Sequence, residues 1–175
     1  MIVTLIGYRG CGKSTVGPLL ADRLGYPCVD SDDLIESRAR KSIRQIFAED
    51  GEPAFRQLEA DVLAELTQRG DLVIAAGGGA ILAEANRRRL KAAGPVVWLS
   101  VHPDILAARI EGDLSSDERR PSLTGRSVQD EVAEVLETRL PLYQAAAAIT
   151  VSADTDTPEE LAERIFRQIT AGEPS

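Results

Sequence analysis

Cysteine and histidine are scarce in this chain of 175 residues, which contains two cysteines, Cys11 and Cys28, and one histidine, His102. So few potential ligands predict neither a disulfide framework nor a zinc site. His102 stands alone before Pro103, where entry into a helix is a simpler role than catalysis. The isolated cysteines favour a reducing compartment.

Long apolar segments are also lacking, since no stretch approaches the ~20 apolar residues that a membrane helix needs. The apolar start MIVTLI runs directly into a glycine loop, without the basic start and cleavage site of a signal peptide. The net charge of −8 offers no long-range attraction to nucleic acid. We therefore expect a cytoplasmic monomer with neither a nucleic-acid partner nor a membrane partner.

Short apolar runs alternate along the chain with segments long enough for crossover helices. The expected strands cover residues 2–6, 27–30, 72–76, 96–100 and 147–151. Apolar and charged residues make up 43% and 27% of the chain, which is globular composition. These features predict one α/β domain spanning residues 1–175, with a mostly parallel sheet and helices on both faces.

Apolar stripes predict helices over residues 14–24 and 52–69, and a last helix that begins at Pro158. One polar stretch interrupts this regularity, reading EGDLSSDERRPSLTGRS from Glu111. A long loop inside a compact domain is usually functional or disordered. We predict a mobile lid over about residues 112–124.

Residues 7–14 read GYRGCGKS and match GxxxxGK[ST] between an apolar strand and a helix. Such a loop directs backbone amides and the positive end of a helix dipole at phosphate oxygens. Lys13 can reach the β- and γ-phosphates, and the Ser14 hydroxyl can ligate Mg²⁺. We therefore predict a site for ATP and Mg²⁺ formed by Gly10, Cys11, Gly12, Lys13, Ser14 and Thr15. Thr15 has a simpler role in capping or packing the first turn, although its backbone could touch the α-phosphate.

The chain lacks the NKxD and DxxG segments of GTPases. Its strand at residues 72–76 runs into three glycines, where a motor or transport ATPase would carry an acidic residue. These departures point to a small-molecule kinase.

At the end of the second strand stand Asp30 and Asp32, and ligands sit at the carboxyl ends of parallel strands. Phosphoryl transfer needs one acid near Mg²⁺ and one near the acceptor hydroxyl. Helix capping by Asp30 or Ser31 also explains such a cluster, and both roles can hold together.

Six segments occur in order along nearly the whole chain: GYRGCGKST, DSDDLIE, FAEDGEPAFRQLE, AAGGGA, RRPSL and TRLPLY. Together they resemble the shikimate kinase family. The resemblance implies a single-domain, three-layer P-loop kinase fold with a five-stranded parallel sheet of order 2-3-1-4-5, a substrate-binding region at about residues 31–60 and a lid. It also implies ATP-dependent phosphorylation of the shikimate 3-hydroxyl in aromatic amino acid biosynthesis.

The resemblance also assigns roles to individual residues around the acceptor. Asp32 would contact the shikimate hydroxyls and orient or deprotonate the attacking one, and Asp30 would hold Mg²⁺ through water, beside Ser14. Arg56 and Arg139 would clamp the substrate carboxylate, because guanidinium forks suit carboxylates. Backbone amides that contact the substrate would come from Gly78 and Gly79. Glu59 follows Arg56 by three residues and could fix its rotamer, although an ordinary surface pair is an equal alternative.

Two further arginines are implied on the nucleotide side. Arg120 would swing from the lid towards the transferring phosphoryl group, and Arg109 would stack on adenine. The adenine loop at residues 153–158 often carries a basic residue in relatives, whereas this chain has Asp154 and Asp156. This departure leaves the nucleotide preference less defined than the phosphate chemistry.

Two alternatives remain open. A kinase for another polyol acid, such as gluconate, would share the phosphate loop without requiring the six segments together. A regulatory module that binds nucleotide without catalysis is disfavoured, because every position expected to act in catalysis is occupied by a suitable residue.

Overall fold

The computed structural model of this chain describes residues 1–112 and 127–171. Five strands form one parallel sheet in the order β2-β3-β1-β4-β5, which confirms the predicted order. The strands are β1 Ile2–Ile6, β2 Cys28–Asp30, β3 Leu72–Ala75, β4 Val96–Ser100 and β5 Ile149–Ser152. They differ from the predicted ranges by at most two residues at either end.

Eight helices lie within the described ranges and connect these strands. They are α1 Lys13–Leu24, α2 Ser31–Ala39, α3 Ile43–Glu49, α4 Glu52–Leu66, α5 Glu84–Ala93, α6 Pro103–Gly112, α7 Val128–Ala146 and α8 Pro158–Ala171. The helix predicted over residues 52–69 ends earlier, at Leu66. Across residues 1–112 and 127–171, no helix combines the length and apolarity that crossing a membrane requires.

The sheet is covered by helices on both faces, as predicted, and β1 shows why. All five of its residues are buried. Val3 and Leu5 belong to one apolar cluster, which α1, α6 and α8 help to form. Ile2 and Ile6 belong to the other, to which α2, α3, α4 and α5 contribute. Successive residues of a strand point to opposite faces, so a continuous apolar strand supplies two cores.

Parallel pairing brings the carboxyl ends of three adjacent strands, β2, β3 and β1, to one edge of the sheet. Leu5 of β1 pairs with Ala75 of β3, and Asp30 of β2 pairs with the same residue. The segments that follow these strands therefore start side by side. They are the phosphate loop (residues 7–14), the start of α2, and the triglycine loop (residues 77–79).

Candidate active site

The phosphate loop curls tightly because two of its glycines adopt left-handed backbone conformations. Gly10 has φ of 80° and Gly12 has φ of 101°, where residues with a β-carbon are strained. Gly12 is the N-cap of α1, so the first amides of that helix point back towards the loop. The Thr15 amide donates to the Gly12 carbonyl at 3.1 Å, which places Thr15 in the first turn. The result is a concave surface of backbone amides suited to phosphate.

Lys13 folds its ammonium group back over this loop. Its Nζ donates to the carbonyls of Gly7 at 2.8 Å and Tyr8 at 3.1 Å. The buried Cys11 thiol lies 3.5 Å from the same Nζ, and the Cys11 amide donates to Tyr8 at 3.2 Å. The predicted phosphate-binding cation is therefore held at the loop by backbone oxygens.

Asp30 uses its two oxygens for different purposes. Oδ2 accepts a hydrogen bond from the Ser14 hydroxyl at 2.7 Å. Oδ1 accepts from the amide of Asp32 at 2.9 Å and that of Asp33 at 3.4 Å, and so caps α2. The capping role and the pairing with Ser14 thus coexist in one side chain. Ser14 and Asp30 bring two hard oxygen donors together, which fits Mg²⁺.

The triglycine loop is buried and held by side chains from two distant helices. The Gly77 amide donates to the hydroxyl of Ser31 at 2.9 Å. The Gly78 carbonyl accepts from the hydroxyl of Tyr143 at 3.0 Å and from Nη1 of Arg139 at 3.2 Å. Residues from α2 and α7 therefore meet at the end of β3.

Two charged groups pack directly on glycine α-carbons in this loop. A β-carbon at Gly77 would overlap Oδ1 of Asp32 and lie 3.2 Å from its Cγ. A β-carbon at Gly79 would lie 2.8 Å from Nη2 of Arg56. Only a residue without a side chain allows these approaches. Asp32, Arg56 and Arg139, which were assigned to the acceptor, thus each contact a different glycine of the loop.

Arg56 is held by two carboxylates of its own helix. Its Nη1 lies 2.9 Å from Oε2 of Glu59, and its Nη2 lies 3.2 Å from Oε1 of Glu52. The side chain of Glu59 is 1% exposed, whereas that of Glu52 is 60% exposed. The predicted pair of Arg56 and Glu59 is therefore present, and its burial distinguishes it from an ordinary surface pair.

The predicted adenine side is organised by Arg109 and Asp154. Nη2 of Arg109 donates to the carbonyl of Ala153 at 2.8 Å. The carboxylate of Asp154 accepts from the amide of His102 at 2.7 Å and the hydroxyl of Ser152 at 3.0 Å. The pKa of Asp154 is lowered, mainly because its carboxylate accepts the hydrogen bond from the His102 amide. The acidic residue of this loop therefore stabilises the loop itself.

The predicted lid lies outside the described residues, apart from Gly112 at the end of α6. Arg120 lies outside them as well.

Sequence reasoning missed the contribution of Tyr143 and the link between Arg9 and Glu131. Tyr143 follows Arg139 by four residues on α7, a spacing that places both on one helix face and could have revealed it. Nη2 of Arg9, in the phosphate loop, lies 3.2 Å from Oε1 of the buried Glu131 on α7. No local pattern connects two residues that are 122 positions apart.

Comparison with known proteins places this architecture in a family. A family model described as shikimate kinase matches residues 9–170. A shikimate kinase from Rhodopirellula baltica is 47% identical over 171 residues, which cover 98% of this chain and 89% of the relative. The solved structure of shikimate kinase from Acinetobacter baumannii in complex with shikimate has a TM-score of 0.92 at 36% identity, covering 99% of this chain and 95% of that one. A gluconokinase from Sinorhizobium meliloti has a TM-score of 0.63 at 18% identity, covering 97% and 91%, which is a similarity of fold alone.

Proposed function

This chain belongs to the shikimate kinase family, and we propose that it transfers the γ-phosphoryl group of ATP to the 3-hydroxyl group of shikimate. The observation that carries the proposal is the convergence of Asp32, Arg56 and Arg139 on the triglycine loop. This loop follows β3, the strand that pairs with the one leading into the phosphate loop. An acceptor held there lies next to a bound triphosphate.

We infer that the acceptor carries a carboxylate, because two guanidinium groups lie at the triglycine loop and could bind one. Arg56 is held by Glu52 and Glu59, and Arg139 by the Gly78 carbonyl. Planar guanidinium forks fixed in this way bind a carboxylate with defined geometry. We assign the amides of Gly78 and Gly79 to the acceptor as well, since buried amides require partners.

Transfer requires a positioned acceptor hydroxyl and stabilisation of charge on the moving phosphoryl group. We assign the first task to Asp32, which orients the hydroxyl or also accepts its proton. The second task falls to Lys13 and to Arg120, a residue outside the described ranges. Closure of a lid at about residues 112–124 would exclude water and suppress ATP hydrolysis.

Mg²⁺ fits the oxygen pair formed by Oγ of Ser14 and Oδ2 of Asp30, two atoms that lie 2.7 Å apart. Within the described ranges, no group of three or more His, Cys, Asp or Glu side chains could hold a metal ion. The remaining ligands would therefore be phosphate oxygens and water, as is usual for Mg²⁺. The ion supplies positive charge that offsets the charge of the phosphate oxygens.

The setting of the reaction is also part of the proposal. We assign residues 1–175 to one domain, in which about residues 31–60 would bind the acceptor and Arg109 would stack on adenine. Both cysteines are free thiols, which supports a reducing, cytoplasmic location. The net charge of −8 supports an enzyme of small molecules rather than of nucleic acid.

The decisive experiment is ADP release by the purified protein with Mg²⁺ and ATP, measured with shikimate, with gluconate and with neither. We expect release only with shikimate. Lys13→Ala and Asp32→Asn should each lower kcat at least ~10²-fold, with unchanged circular dichroism. Turnover of gluconate in preference to shikimate would replace the substrate in this proposal. Calorimetric binding of ATP without any turnover would instead favour a regulatory nucleotide-binding module.

A further inference from the structure

Tyr143 lies in the core below the triglycine loop, and the chemistry proposed above does not use it. Its side chain is fully buried. The ring stacks on Trp98 with centroids 5.5 Å apart and planes inclined by 7°. Its hydroxyl donates to the Gly78 carbonyl at 3.0 Å. A buried tyrosine usually finds such a partner, but this partner is a backbone group of the candidate site.

The hydroxyl of Tyr143 remains a proton donor under all working conditions. Burial raises its pKa above the ordinary tyrosine value, and this effect outweighs the opposing charge of Arg139. The neutral phenol therefore persists, and it donates its proton to Gly78.

The Gly78 carbonyl and the Gly79 amide belong to the same peptide group. No cis peptide bond occurs in the part of the chain that the structure describes, so these two groups point in opposite directions. Tyr143 and Arg139 both donate to the carbonyl. The Gly79 N–H is consequently directed away from Tyr143.

Gly79 is a buried residue, and its amide donates no hydrogen bond to any group in residues 1–112 or 127–171. Buried amides without partners are rare, and they call for a specific explanation. The guanidinium of Arg56 lies against the α-carbon of the same glycine. A ligand bound by Arg56 would therefore be close to this amide.

Three successive glycines cannot hold one peptide orientation by themselves, because they have no side chains that restrict φ and ψ. Reversal of the peptide between Gly78 and Gly79 would turn a carbonyl oxygen towards an anionic acceptor. The hydrogen bond from Tyr143 opposes that reversal.

We propose that Tyr143 is a positioning residue, whose buried hydroxyl orients the peptide between Gly78 and Gly79 so that the Gly79 amide faces the acceptor substrate. The inference rests on the proposed function, because it takes shikimate as that acceptor. Tyr143 itself touches neither substrate.

The test compares Tyr143→Phe with Trp98→Phe. The first variant removes only the hydroxyl, and the second weakens the stacking but keeps the hydroxyl. We expect Tyr143→Phe to raise the KM for shikimate about tenfold while the KM for ATP stays within about twofold. Trp98→Phe should lower the thermal midpoint and leave both KM values near those of the wild type. An unchanged KM for shikimate in Tyr143→Phe would overturn the inference. So would equal increases in the KM values for shikimate and ATP in that variant, or equal increases in the KM for shikimate in both variants.

A second measurement follows the Gly79 amide directly, in protein labelled with ¹⁵N-glycine. Shikimate should shift this resonance in the wild type, and the shift should be reduced in Tyr143→Phe. If that variant does not fold, the wild-type shift decides the matter, since its absence contradicts the proposed orientation. Failure of the proposed function is a separate result, because it would appear as a wild-type protein that does not phosphorylate shikimate.

Discussion

The carboxylate of Asp32 rests on the α-carbon of Gly77, so close that a β-carbon at position 77 would overlap Oδ1. Gly77 does not have a positive φ, so alanine meets no backbone strain there. The requirement for glycine at this position comes from Asp32, which supplies the three atoms nearest to such a β-carbon. The pair joins the start of α2 to the end of β3.

Gly77→Ala should therefore displace the Asp32 carboxylate and lower kcat at least about tenfold, because a catalytic group shifted by ~1 Å loses much of its effect. Gly70→Ala is the matched control, since nothing lies within 4 Å of its added β-carbon. Steady-state kinetics and circular dichroism of both variants provide the measurement. Wild-type kcat in Gly77→Ala would show that the position of Asp32 is not critical.

Glu59 and Glu52 pair with the same arginine but differ in burial, which allows a comparison on one helix. Glu59→Gln should raise the KM for shikimate about tenfold and lower the free energy of unfolding by about 1–3 kcal/mol, because it removes a buried charged partner. Glu52→Gln should change the unfolding free energy by less than ~1 kcal/mol, as expected for an exposed pair. Equal effects of the two substitutions on KM would contradict a positioning role for Glu59. Kinetics and urea denaturation measure both quantities.

The Ser31 hydroxyl accepts a hydrogen bond from the amide of Gly77, a buried residue. Ser31→Ala leaves that amide without its partner and should cost about 1–3 kcal/mol of stability, with a fall in kcat because Gly77 supports Asp32. Ser42 caps α3, because its hydroxyl accepts a hydrogen bond from the Gln45 amide at 3.2 Å. Ser42→Ala should therefore lower the free energy of unfolding by about 1 kcal/mol and leave kcat unchanged. Thermal denaturation together with kinetics separates the two. A similar loss of kcat in both variants would mean that activity follows stability alone.

Ser14 and Asp30 are assigned to Mg²⁺. Ser14→Ala and Asp30→Asn should each raise the Mg²⁺ concentration for half-maximal activity about tenfold or more, and chelation with EDTA should abolish turnover of the wild type. Asp33→Asn alters a nearby acid in the first turn of α2, the helix that Asp30 caps, and should leave the Mg²⁺ dependence unchanged. Titration of Mg²⁺ at fixed ATP provides the measurement. An unaltered titration curve in Asp30→Asn would remove this residue from the metal site.

Burial, and after it the charge of Asp30, raises the pKa of Cys28 from 9.0 to about 11. At pH 8 the folded protein should thus hold roughly hundredfold less Cys28 thiolate than the unfolded chain, and it should react correspondingly more slowly with iodoacetamide. As the pH rises, the Cys28 thiol of the unfolded chain ionises before that of the folded protein. The stability that protonated Cys28 contributes is therefore complete below pH 9 and is lost between pH 9 and 11. Mass spectrometry of the Cys28 peptide, with and without urea, measures the rates. Equal rates would contradict the raised pKa.

The fold was largely predictable because its signals are local. Each strand is a short apolar run, and the phosphate loop depends on glycines whose φ values few other residues adopt. The resemblance to a family supplied the strand order, which local patterns do not contain. The end of α4 and the edges of β2 and β5 were misplaced by one to three residues, since helix and strand ends depend on neighbours.

The amino-acid sequence by itself determined the apolar strands, the glycine-rich phosphate loop and the presence of Asp32, Arg56 and Arg139. Tertiary structure alone decided that these three residues meet at the triglycine loop, that Tyr143 is hydrogen-bonded to Gly78, 65 positions away, and that Arg9 pairs with Glu131. The physical reason is that secondary structure follows from interactions within a few residues. A hydrogen bond between distant segments exists only after the parallel sheet has brought the ends of its strands together.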